Sequence, residues 1–123
     1  MSTEAAFLST DLFSPAPGAP HVARARVTCN NIATREAPIV QAECLAAAAK
    51  ANHRVLVDLA DVTMITSVGL GALITLHKAC KEAKGKLVLL NLKPDILNIL
   101  KLSRLDKLFT IVESEPKALK AFA

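Results

Sequence analysis

Two hydroxyl residues, Thr66 and Ser67, sit between a run of apolar residues and a helix-like segment that opens on Gly69-Leu70-Gly71. A strand-to-helix junction exposes unpaired backbone N–H groups and the positive end of a helix dipole. A hydroxyl there can do two things. It can cap the helix by accepting from a first-turn N–H, which is worth about 1 kcal/mol. It can also carry a phosphate, which the same N–H groups and dipole would favour. By position Ser67 is expected to cap through the N–H of Gly69 or Leu70; phosphate acceptance is the second use its place allows, and the two are compatible. Thr66 reads as a loop residue or as the cap itself. The neighbours Met64, Val68 and Leu70 are apolar, so a dianion at Ser67 would suit its own helix and spoil any apolar interface built around it.

Other chemistry is poorly represented. Asp58 and Asp61 flank the junction, but each stands where an aspartate ordinarily bonds its own turn. His21, His53 and His77 are far apart, and nothing in their order suggests a nucleophile–base arrangement. His77 follows Leu70, Leu73 and Ile74 at helical spacing and reads as a core-edge residue. No phosphate-cradling glycine motif occurs. Cys29, Cys44 and Cys80 are odd in number and lack metal spacing, so reduced, partly buried thiols are expected, with no metal and no cofactor.

The elements that must position the junction follow from periodicity. Val22 to Asn30 alternates apolar residues with Arg24 and Arg26, a half-exposed strand. Pro38 fits the first turn of a helix over 39–51, with Ile39, Val40, Cys44, Leu45 and Ala48 as its apolar stripe. Val55 to Leu59 is unbroken apolar sequence, a strand covered on both faces. The helix from Ser67 to about Lys84 should end on Gly85 as a left-handed cap. Lys86 to Asn91 is a further buried strand. Pro94 opens a helix with Ile96, Ile99, Leu100 and Leu102 inward, and Leu108 to Val112 and Pro116 to Phe122 form a last strand and helix. Alternating strands and helices imply right-handed crossovers and a largely parallel sheet.

The chain has 123 residues, no Trp or Tyr and 52% apolar composition, which implies one domain with an aliphatic core. Its apolar runs are shorter than a bilayer requires, so no membrane insertion is expected. Glu4 and Asp11 do not fit a secretory leader, and a cytoplasmic location is expected. From Ser67 onward ten basic residues face five acidic ones. With no aromatic residues among them for base stacking, this reads as a solvated face rather than a nucleic-acid site. Residues 1–20 are expected to be an N-terminal segment, edge strand or flexible tail, in which Phe7 to Phe13 is the candidate strand and 14–20 a Pro-rich stretch.

The segment from Arg54 to Phe109 resembles the conserved half of a STAS domain, the domain of bacterial anti-sigma factor antagonists. The resemblance is carried by Asp58-Leu59, by Thr66-Ser67-Val68-Gly69-Leu70-Gly71, by Gly85 to Leu90, by Pro94 to Leu102 and by Leu105 to Phe109. It extends more weakly from Ala25 onward. The family usually has an aspartate at the position of Thr66 and a hydroxyl residue at that of Val68. Asn30-Asn31-Ile32-Ala33 stands where it usually has Gly-x-Leu-Asp.

The resemblance implies a single α/β domain over 21–123, with a mostly parallel central sheet of about five strands and helices packed alongside. It also implies a non-enzymatic regulator that binds a serine-kinase anti-sigma factor. Phosphorylation of Ser67 by that kinase would release it, and a phosphatase would reset it. The partner-facing surface is expected at Asp61, Met64, Thr66, Ser67, Val68, Gly69 and Leu70. The alternative is a constitutive STAS subunit of a transport or lipid-trafficking complex that is not phosphorylated. Val68 in place of a hydroxyl leads us to expect slower phosphorylation than the family norm, without loss of binding.

Overall fold

The computed structural model describes residues 8–13 and 21–122. Its strands are β1 (Leu8–Phe13), β2 (Val22–Val27), β3 (Asn31–Ile32), β4 (Arg54–Asp58), β5 (Met64–Ile65), β6 (Lys86–Leu90) and β7 (Thr110–Val112). Its helices are α1 (Glu36–Ala49), α2 (Ser67–Glu82), α3 (Pro94–Leu102) and α4 (Glu115–Phe122). Five strands form one sheet in the order β1-β2-β4-β6-β7, and β3 and β5 form a separate parallel pair. Only β1 runs antiparallel in the larger sheet, pairing with β2 from Leu8↔Val27 to Phe13↔Val22. The remaining pairings are parallel, with Val55 opposite Ala23 and Leu87. The expected single α/β domain with a mostly parallel sheet is what forms.

Period-two alternation divides the strand side chains between two faces. Val55, Val57, Leu87 and Leu89 join Val40, Cys44, Leu73, Leu76, Ile96 and Leu100 in the larger core, beneath α1, α2 and α3. Leu56, Val88 and Leu90 point the other way, against Ala118 and Phe122 of α4. Leu73 is 1% exposed, so Leu73→Ala should cost about 2–5 kcal/mol by creating a cavity. Chemical denaturation reads this directly, and a loss below about 1 kcal/mol would contradict the burial of that helix face.

Several expectations change at the element ends. Of the two readings of Phe7 to Phe13, the strand is observed over Leu8–Phe13, and Leu8 is buried; Phe7 and residues 14–20 lie outside the described residues. Helix α1 starts at Glu36, earlier than expected, and buries Ala37 and Ala47 with Val40, Cys44 and Ala48. Leu102, expected inward, is 77% exposed because it is the last residue of α3, where the chain turns away. Gly85 is not the left-handed residue after α2; Lys84 is, with φ 62°. Gly85 is required for a different reason: a Cβ there would lie 2.0 Å from the carbonyl oxygen of His53. Contact between the two chain segments, rather than helix capping, demands the glycine.

Candidate functional site

The junction before α2 is held by the short β3–β5 pair. Asn31 is opposite Met64 and Ile32 opposite Ile65. Below them the Asn30 carbonyl accepts from the N–H groups of Thr63 (2.8 Å) and Met64 (3.2 Å) and from the Thr63 hydroxyl (3.2 Å). The Thr66 N–H donates to the Ile32 carbonyl at 3.1 Å. The segment where the family's acid is missing thus anchors the junction through the backbone carbonyls of Asn30 and Ile32, which do not depend on the side chains there.

Thr66, not Ser67, is the N-cap. Its backbone is extended (φ −93°, ψ 175°), and its Oγ accepts from the Gly69 N–H at 3.4 Å. The same hydroxyl donates to the Ile32 carbonyl at 3.4 Å. Ser67 as the cap is overturned, and the second reading of Thr66, as the cap itself, is what forms. An N-cap must be non-helical, and Ser67 already has helical backbone as the first residue of α2. The consequence is chemical: Ser67 is exposed, and its hydroxyl has no hydrogen-bond partner among the described residues. The first turn of α2 contains no acidic residue, so the positive end of its dipole is not offset from within the helix.

Apolar side chains flank this hydroxyl. Met64 is 54% and Val68 45% exposed, both high for their size. Leu70 is half-buried against the larger core and offers only part of its surface. Gly69 is buried rather than presented, because its Cβ position lies 2.2 Å from the Ile32 carbonyl oxygen. Gly71 has nothing within 4 Å of its Cβ position and supplies the open surface instead. Asp61 sits at the edge of this surface in an exposed ion pair with Arg26 at 3.7 Å. Asp58 bonds its own turn, its Oδ1 accepting from the Ala60 N–H at 3.0 Å.

One flank was missed from sequence. Ala37, Pro38, Gln41, Ala42 and Leu45 of α1 form a shallow groove of about 290 Å³ with Val68 and Ala72. It continues the apolar surface from the junction onto the neighbouring helix. Small residues on α1 are the only sequence signal for it, and they read equally well as ordinary helix packing.

Two thiols and a histidine lie further along α1 and α2. The Cys44 and Cys80 thiols are buried, and desolvation pushes them up to about 12 and about 11, far from a reactive thiolate. His77 packs edge-on to Phe109 with ring centroids 5.6 Å apart. Burial, and secondarily Lys81, hold its imidazole below the usual value, which favours the neutral ring. No group of three or more potential metal ligands occurs among the described residues. No described helix is long and apolar enough to cross a membrane.

This architecture and junction define an α/β domain of the STAS class. Residues 30–118 match the STAS domain family model, and the chain belongs to that family. It is 31% identical over 83 residues to BtrV of Bordetella bronchiseptica, named as a candidate anti-sigma factor antagonist, covering 68% of this chain and 72% of BtrV. Among solved structures it resembles a candidate anti-sigma factor antagonist of Thermotoga maritima, with a TM-score of 0.78 and 15% identity over 98% of each chain. It also resembles the phosphorylated form of the Bacillus cell-fate determinant SpoIIAA, with a TM-score of 0.64 and 14% identity over 94% of this chain and 100% of that one.

Proposed function

We propose that this protein is a non-enzymatic, cytoplasmic partner-switching regulator, an anti-sigma factor antagonist whose binding to a serine-kinase anti-sigma factor is ended by phosphorylation of Ser67. The observation that carries this reading is the Ser67 hydroxyl itself. It is exposed, uncommitted to capping, and placed between Met64 and Val68 at the start of a 16-residue helix. A phosphate there would meet the first-turn N–H groups of α2 and its unopposed dipole, so the domain itself would tolerate the charge. A docked partner would have to desolvate that charge against an apolar surface. The switch therefore acts on a preformed face and needs no refolding. The named relatives support the antagonist role, and a phosphatase would restore the binding form.

Incubation with the cognate kinase and ATP should add a single phosphate, read by intact mass, and Ser67→Ala should abolish it. A phosphate on Thr66 would contradict the reading, since that hydroxyl is engaged with Gly69 and Ile32. No phosphate at all would leave the same surface to a constitutive STAS subunit of a larger complex.

A further inference from the structure

The net charge of +4 is not spread evenly over the fold. Parallel strands share a polarity, so β4 and β6 both begin at the end of the sheet opposite the Ser67 junction. Arg54 and Lys86 open these strands and are register partners. Helix α2 delivers Lys84 to the same end, where the Gly85 segment crosses His53. Strand β7 re-enters the sheet at Thr110 opposite Val88, so the preceding turns bring Lys101, Arg104 and Lys107 to that end as well. Glu82 and Asp106 are the acids nearby in sequence. Among the described residues Arg54, Lys84 and Lys86 form no ion pair with an acid, and Arg54 spends one N–H on the Phe122 carbonyl at 3.3 Å.

Two leucines stand among these cations. Leu102 is 77% and Leu108 40% exposed. A single exposed leucine is ordinary on any protein surface. Here they bracket the segment that carries Arg104 and Lys107, and Leu108 precedes Thr110 by as many residues as Lys86 precedes Val88, its sheet neighbour. A cleft of about 230 Å³ lined by Arg54, Lys84, Gly85, Lys86, Ala121 and Phe122 opens at the same end of the sheet. Cations around protruding aliphatic groups suit an anionic bilayer: the charges meet lipid phosphates, and the leucines enter the headgroup–acyl boundary. Nucleic acid fits less well without aromatic groups to stack on bases. An acidic protein surface would meet the same cations, and comparison with polyglutamate separates it from lipid.

We infer that this basic end, with Leu102 and Leu108, is a peripheral docking surface for an anionic membrane. It would hold the domain with its Ser67 junction turned away from the lipid and open to partners. Flotation with vesicles of phosphatidylcholine alone, or mixed with phosphatidylglycerol, tests this. The wild type should float only with the anionic vesicles and be released when salt is raised to about 0.5 M, since exposed charges are screened over a few ångströms there. Lys84→Glu with Lys86→Glu should weaken capture by roughly 25-fold or more, taking about fivefold per cation. Leu102→Ser should weaken it several-fold without altering the melting temperature, which is measured for each variant. Absence of binding to the anionic vesicles, or equal binding to neutral ones, would overturn the inference. So would tighter binding to polyglutamate or duplex DNA that Leu102→Ser leaves unchanged, which would assign this end to a soluble polyanion.

Discussion

On the proposed function, Ser67→Asp should weaken binding to the anti-sigma factor partner at least tenfold, about 1.4 kcal/mol, while leaving the fold intact. The two halves of that result have separate causes. Ser67 is exposed between Met64 and Val68, so a partner covering those side chains also covers position 67. A carboxylate there must be stripped of water against apolar atoms, and unless the partner brings a cation this costs more than the hydroxyl it replaces. Within the domain the same carboxylate stands at the first position of α2, whose first turn has no acid, and a negative charge there stabilises by about 0.3–1 kcal/mol. Calorimetric titration with the purified partner and a thermal melt of the free variant read the two effects independently. Wild-type affinity in Ser67→Asp would remove the switch and favour the constitutive-subunit reading. A collapsed melt would place Ser67 inside the structure and contradict its exposure.

The sequence disclosed the fold well because its signals are redundant. Val55 to Val57 and Leu87 to Leu90 are too apolar for anything but covered strands, and the helix between them has one periodic face, which buries Leu73, Leu76 and Cys80. The N-terminal segment was less legible. Leu8–Phe13 contains Ser9, Thr10 and Asp11, a polar sequence that pairs with β2 without an apolar signature of its own. The ion pair of Asp11 with Arg24 at 2.8 Å ties it to β2 and links residues that sequence alone does not pair.

The position of the strand-to-helix junction was legible, but which of its two hydroxyls caps α2 was not. Adjacent hydroxyls can each serve as a cap, and intrinsic preference leans toward serine, the residue that does not cap here. What decides is where the chain leaves the β3–β5 pair, a tertiary matter set by the Thr66 N–H reaching Ile32 at 3.1 Å. With Thr66 committed to the cap, Ser67 is left free. The position where the family usually has an aspartate is therefore occupied by a residue that can still cap.

The two glycines of Gly69-Leu70-Gly71 make the sharpest test of the local geometry, because alanine at each should act in opposite directions. Intrinsic helix propensity favours alanine over glycine by about 1 kcal/mol at both positions. At Gly71 nothing lies within 4 Å of the new methyl group, so Gly71→Ala should stabilise by up to about 1 kcal/mol and raise the melting temperature. At Gly69 the methyl carbon would sit 2.2 Å from the Ile32 carbonyl oxygen and 2.7 Å from the Ile65 side chain. The first obstacle is backbone, and that backbone carbonyl also receives the Thr66 N–H and hydroxyl. Relief requires α2 to move off the β3–β5 pair, so overpacking of about 1–3 kcal/mol or more outweighs the propensity gain, and Gly69→Ala should lower the melting temperature. Partner binding separates the roles further. Gly71→Ala adds a methyl group to the open surface and should weaken association while strengthening the fold, whereas Gly69→Ala should harm binding only by shifting the junction. Equal melting shifts for the two variants would mean that α2 does not pack against Ile32 as described.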